Sequence, residues 1–241
     1  MTLELVTIPC RTDNYAFLLH DAESGYTALV DAPEAAAIQA TLRARGWRLH
    51  DILLTHHHDD HVEGAETLRA ATGARVLGAA ADAHRLPRLD VGLADGDIFA
   101  VGPETAFVMD VPGHTIGHFA FHLPTSGYAF TADSLMAGGC GRLFEGTPAQ
   151  MWASLSKLAA LPPETLICSG HEYTASNLRF AASVDPDNPD LHKRIADTAQ
   201  ARALDIATVP SLLSLERATN PFLRARTLAD FTDLRARKDR F

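Results

Sequence analysis

Apolar positions along the chain follow two rhythms. Up to about residue 171, short alternating or continuous apolar runs are broken by Gly, Pro, Asn and Asp, the pattern of strands and turns. LELVTI, YAFLLHD and TALVDA read as three opening strands, with TDN and ESG as turns between them. PEAAAIQATLRARG has apolar residues at helical spacing and stops at Gly46. HDILLT predicts a buried strand, AETLRAATG a short helix ending at Gly73, and RVLGA another strand. DIFAVG, AFVMDVPG, HFAFHLP and YAFTAD predict more strands. TPAQMWASLSKLAALP reads as a helix with Thr147 as cap and Pro148 at its first position, and TLICSGH as a last strand. From Tyr173 onward YTASNLRFAASVD, PDLHKRIADTAQARALD and SLLSLERA keep helical spacing, and no strand run is evident. Strands mixed with helices, then helices alone, predict an α/β domain over residues 1–172 and an all-α domain over 173–241.

Charge narrows the partners. The net charge is −9 over 241 residues, which disfavours binding to nucleic acid or to anionic membrane surfaces. No apolar run approaches the ~20 residues that span a bilayer. The N-terminal stretch MTLELVTIPCRTDNYAF lacks the basic start and apolar core of a secretory signal. Cys10, Cys140 and Cys168 are widely spaced without a C-x-x-C, so neither a disulfide framework nor a zinc finger is expected. These features lead to the expectation of a cytoplasmic protein. One basic stretch, LRARKDR, stands apart near residue 240 and by itself reads as a solvated helix face.

LLTHHHDDHVEG concentrates the chemistry, in a chain with only 12 histidines. In an extended segment His56 and His58 point the same way and His57 points away. A turn then lets Asp60 and His61 aim at the same place. Imidazole and carboxylate are standard ligands for zinc and similar divalent ions. His114, Asp133 and His171 each follow an apolar run and sit beside glycine or small residues, where strand ends gather ligand sites. These seven residues exceed the needs of one tetrahedral zinc and fit two metal ions with a bridging carboxylate. His57, His118 and His122 read as supporting or structural.

THHHDDH, then PGHT, a strand-end aspartate and GHEY in that order, resembles the metallo-β-lactamase superfamily. TDNYAFLL, GCGRLFEGTPAQM, SGHEYTASNLRFA, TNPFLR and RARKDRF are similar to the hydroxyacylglutathione hydrolases, or glyoxalases II, across essentially the whole chain. The resemblance implies an αββα sandwich carrying a C-terminal helical domain. It implies hydrolysis of S-D-lactoylglutathione and other 2-hydroxyacylglutathione thioesters to glutathione and D-lactate by a metal-bridging hydroxide, the second step of methylglyoxal detoxification. Carried over by position, His56, His58 and His114 would hold one metal. Asp60, His61 and His171 would hold the other, and Asp133 would bridge. Zinc is the expected metal, with iron or manganese as family variants. Asp60 and Asp133 would be the catalytic carboxylates, and the enzyme is expected as a monomer. Arg142, Phe144, Tyr173, Arg235 and Lys238 would occupy the glutathione-binding positions.

Two positions depart from the family pattern. Arg142 stands where lysine is usual, and Phe144 where tyrosine is usual. Arginine still binds a carboxylate, with different geometry. Phenylalanine has no hydroxyl to donate, so a weaker grip on glutathione is expected. The competing readings are another enzyme of the same fold, such as a persulfide dioxygenase or a lactonase, or a non-catalytic metal-binding protein.

Overall fold

A computed structural model describes residues 2–241, and the chain divides into two compact units. The first runs up to Asp110 and adds Gly117–Phe130; the second comprises Val111–Ile116 and Thr131–Phe241.

The first unit is built on strands β1 (Glu4–Cys10), β2 (Asn14–His20) and β3 (Thr27–Val30), helix α1 (Ala35–Arg45), strand β4 (Asp51–Leu53), helices α2 (Asp59–Val62) and α3 (Ala65–Thr72), and strands β5 (Arg75–Ala79) and β6 (Val91–Leu93). These strands form one mixed sheet in order β1-β2-β3-β4-β5-β6. β1, β2 and β3 are antiparallel, whereas β3, β4, β5 and β6 run parallel. The parallel part needs crossovers, and the helical patterns around Ala35 and Ala65 supply those from β3 to β4 and from β4 to β5. Strands β7 (Ile98–Val101), β8 (Glu104–Asp110), β9 (Phe119–Leu123) and the start of β10 (Tyr128–Ala132) form an antiparallel run. Phe17 of β2 meets Phe130 of β10 at 5.5 Å between ring centroids, and Phe121 is fully buried. The apolar core of this unit therefore lies between its two sets of strands.

The second unit contains the hairpin β11 (Leu135–Met136) and β12 (Gly139–Cys140), helix α4 (Pro148–Ala159), strand β13 (Leu166–Ser169), helices α5 (Thr174–Val184) and α6 (Pro189–Ala203), strand β14 (Ser211–Leu212), and helices α7 (Leu213–Thr219), α8 (Pro221–Arg224) and α9 (Leu228–Lys238). Thr147 caps α4 in a capping box with Gln150, as its sequence position predicts. Leu178, Ala181 and Leu191 pack α5 on α6. The expectation of helices alone after His171 is corrected at β14. Ser211 and Leu212, read as the start of a helix, instead pair antiparallel with Ile167 and Leu166. Two residues are too few to display a period of two, so the pattern could not reveal them.

The strand-to-helix turn after β4 is held tightly. Ala32 N donates to His61 O at 2.7 Å, and Gly64 N donates to Ala32 O at 2.8 Å. A Cβ on Gly64 would lie 2.8 Å from Ala35 N and 2.9 Å from Ala32 O, both backbone atoms. Gly64→Ala is therefore expected to destabilise the protein by about 1–3 kcal/mol, read as a lower urea midpoint with an unchanged slope.

Candidate metal centre

In the first unit the donors sit at the C-terminal ends of parallel strands, where open α/β sheets place ligands. Asp31 follows β3, and Thr55 to His61 follow β4. His56 is fully buried, with its Nε2 3.1 Å from His58 Nδ1. The first turn of α2 turns Asp60 and His61 to the same side, leaving His61 Nε2 3.9 Å from Asp60 Oδ2. Ligand atoms of His56 and His58, of His56 and His61, and of Asp60 and His61 lie within 4.8 Å in each pair. His57 turns the other way, its Nδ1 3.3 Å from Asp82 Oδ2.

In the second unit His114, Asp133 and His171 are buried together. Asp133 Oδ2 lies 3.4 Å from His114 Nε2 and 3.3 Å from His171 Nε2. His114 Nδ1 donates to the carbonyl of Arg142 at 2.8 Å, so Nε2 is the nitrogen presented to Asp133. A single carboxylate oxygen flanked by two imidazole nitrogens is an arrangement suited to a divalent cation.

The residues expected to bind glutathione all belong to the second unit, but they differ in availability. Arg142 is exposed, its Nε 3.6 Å from an oxygen of Asp239. Phe144 is exposed, with its ring edge-on to His114 at 5.2 Å. Tyr173 stacks on His171 at 4.6 Å with 7° between ring planes. Arg235 is buried, and its guanidinium donates to Cys140 O at 2.9 Å and to Asp239 at 2.8 Å. Lys238 Nζ lies over the Phe180 ring at 5.4 Å and 3.3 Å from Ser176 O. Burial, and then the charges of Arg235 and Arg179, lower its pKa from the usual lysine value.

Two supporting residues, Asp31 and Asn14, escaped the sequence reading, and a third, His118, was expected as supporting or structural. Asp31, buried and with a positive φ of 55°, accepts from His61 Nδ1 at 2.8 Å, from Thr55 N at 2.9 Å and from Thr55 Oγ1 at 2.8 Å. Its position after the apolar run TALV is the same strand-end signal that marks Asp133. Asn14, in the TDNY turn, donates Nδ2 to Asp60 Oδ2 at 3.0 Å. His118 is fully buried and stacks on His56 at 4.6 Å.

Comparison with known proteins agrees with this architecture. Residues 13–171 match the family described as the metallo-beta-lactamase superfamily, and residues 172–241 match the hydroxyacylglutathione hydrolase C-terminus. The crystal structure of ETHE1 from Myxococcus xanthus superposes with a TM-score of 0.72 at 23% identity, over 98% of this chain and 90% of that one. TTHA1623, solved in a di-iron-bound form, gives 0.65 at 26% identity, over 91% of this chain and all of that one. The chain has the metallo-β-lactamase fold, with mixed sheets and a C-terminal helical region, and its His/Asp groups are of the kind that hold divalent metal ions. A hydroxyacylglutathione hydrolase from Ruegeria pomeroyi is 62% identical over 255 aligned residues, covering all of both chains. The chain belongs to the hydroxyacylglutathione hydrolase family.

Asp31→Asn tests the support beneath His61. An amide has one acceptor and one donor face, so either His61 Nδ1–H or Thr55 must then meet an N–H group. Zinc affinity, measured by chelator competition, is expected to fall roughly 10–100-fold with the secondary structure retained.

Proposed function

We propose that the chain hydrolyses S-D-lactoylglutathione and related 2-hydroxyacylglutathione thioesters, using two divalent ions, zinc in the first instance. Full-length relatives named hydroxyacylglutathione hydrolase support the substrate class. The observation that carries the two-metal reading is Asp133 Oδ2, placed almost equally from His114 and His171. Because these two histidines are assigned to different ions, that oxygen is where a carboxylate shared by both ions would stand. The assignment is His56, His58 and His114 for one ion, Asp60, His61 and His171 for the other, and Asp133 for both. Residues 1–172 then carry the metal ligands and 173–241 the remaining glutathione contacts.

When bound, such a pair of ions supplies a water of near-neutral pKa and an electrophile for the thioester carbonyl. The side chains do the rest. Asp133 holds the attacking water in line with the carbonyl carbon. Asp60, held through Oδ2 by Asn14, is the proton acceptor. The C–S bond breaks to release glutathione as a thiolate, a leaving group good enough to need little help from a general acid. Arg142 and Lys238 attract the carboxylates of the tripeptide, which a chain of net charge −9 must do with local cations. Arg235 adds fixed charge beneath them, and Tyr173 and Phe144 offer ring surface. The three cysteines are free and buried, as suits a reducing cytoplasm, and the enzyme is read as a monomer. Among the described residues no helix is long and apolar enough to cross a membrane.

Turnover of S-D-lactoylglutathione beside other glutathione thioesters, with metal content measured on the same protein, tests the reading. Rapid release of glutathione with two metals per chain is expected; persulfide-dependent oxygen uptake without thioester cleavage would overturn it. Asp60→Asn should lose one metal and lower kcat/KM by roughly 100-fold or more. Phe144→Tyr restores a hydroxyl at the rim and should lower KM by about threefold, the scale of one modest hydrogen bond.

A further inference from the structure

The β11–β12 hairpin connects the two ends of the proposed site, leaving Asp133 and arriving at Arg142. It has only two residue pairs, Leu135 with Cys140 and Met136 with Gly139, too few to be stable alone. Its buried backbone groups therefore need partners, and the C-terminal helices provide them. Asn220 Nδ2 donates to Met136 O at 3.2 Å and to Gly139 O at 2.9 Å. Asn177 Nδ2 donates to Ala137 O at 3.1 Å. Gly138 N donates to Glu216 Oε2 at 2.8 Å, and Arg235 donates to Cys140 O at 2.9 Å. Every residue from Met136 to Cys140 is thus bonded by a side chain from the region after Tyr173.

Asn220 is the centre of this clamp. It is fully buried, and its Oδ1 also accepts from Phe222 N at 3.1 Å to cap α8. Glu216, equally buried, accepts from Asn220 at 3.1 Å and is ion-paired with Arg194. Only an amide offers both the donors and the acceptor this position uses. The hairpin has little freedom to move without carrying its neighbours. A Cβ on Gly139 would stand 2.6 Å from Asn177, and one on Gly141 only 1.9 Å from Asp133 O. The next residue, Arg142, holds His114 Nδ1 with its carbonyl at 2.8 Å.

We propose that Asn220 is a positioning residue for glutathione recognition: by fixing the β11–β12 hairpin it sets where Arg142 stands. TNPFLR would then matter to substrate affinity without touching substrate. This rests on the glutathione-thioester reading above.

The test is a double-mutant cycle in the full-length, metal-loaded protein. KM and kcat are measured for S-D-lactoylglutathione, and Kd for the non-hydrolysable S-methylglutathione. Asn220→Ala is expected to raise KM and Kd roughly tenfold, with kcat within about threefold and both metals retained. In an Arg142→Ala background the same substitution should change KM by less than about twofold, because its effect passes through Arg142. A purely structural cap would lower the melting temperature and leave KM and Kd of the folded protein unchanged, and that result overturns the proposal. So does a full tenfold effect that persists without Arg142. If Asn220→Ala does not fold, Asn177→Ala, which removes a single donor to Ala137 O, carries the same cycle with an expected change of about threefold. A wild-type protein that neither binds S-methylglutathione nor cleaves the thioester overturns the function instead, which separates the two failures.

Discussion

An imidazole has two nitrogens, and one is held ready for a metal when the other is committed elsewhere. The anchors here are different in kind. Asp31 takes Nδ1 of His61, the carbonyl of Arg142 takes Nδ1 of His114, and Thr55 Oγ1 lies 3.0 Å from Nδ1 of His56. Each anchor fixes the tautomer and the plane of its ring. Without them the like-polarity rings would turn to satisfy one another or solvent. Asp31 is the most consequential of the three, because the same carboxylate also holds the Thr55 backbone where the histidine-rich turn begins.

The anchor on His114 ties a candidate metal ligand to the arginine proposed to meet glutathione. The Arg142 carbonyl holds the ring while the Arg142 side chain reaches outward beside Asp239. Asp239 also binds Arg235, so one carboxylate balances two guanidiniums at the end of α9. A few cations in a chain of net charge −9 are thereby kept close together, and only part of their hydrogen-bonding capacity is used internally. The helical C-terminal region contributes to this arrangement twice, through the cations of α9 and through the side chains that hold the β11–β12 hairpin.

How much was legible in the chain depended on the kind of signal. The His and Asp residues after β4, and those near residues 114, 133 and 171, follow apolar runs and precede small residues, so pattern and chemistry pointed to the same positions. Arg142, Tyr173, Arg235 and Lys238 were reachable only through resemblance, since a basic residue on a helix is ordinarily solvated. The burial of Arg235 against Cys140 was not visible, because it depends on a contact between residues 95 positions apart. Asp31 carried the strand-end signal but lacked a neighbouring histidine to draw attention. β14 was missed because two residues cannot display a period.

The sequence by itself determined the class of chemistry, the longer strands and helices in their order, and the candidate metal-binding residues. Those properties are local: side-chain type, spacing and the position of an apolar run relative to a turn. Tertiary structure alone decided which nitrogen of each histidine is anchored and which oxygen of Asp133 faces both His114 and His171. It also decided which cations are spent within the protein and which side chains hold the hairpin between Asp133 and Arg142. These are matters of distance and direction between residues far apart in the chain, and only the folded backbone brings them within hydrogen-bonding range.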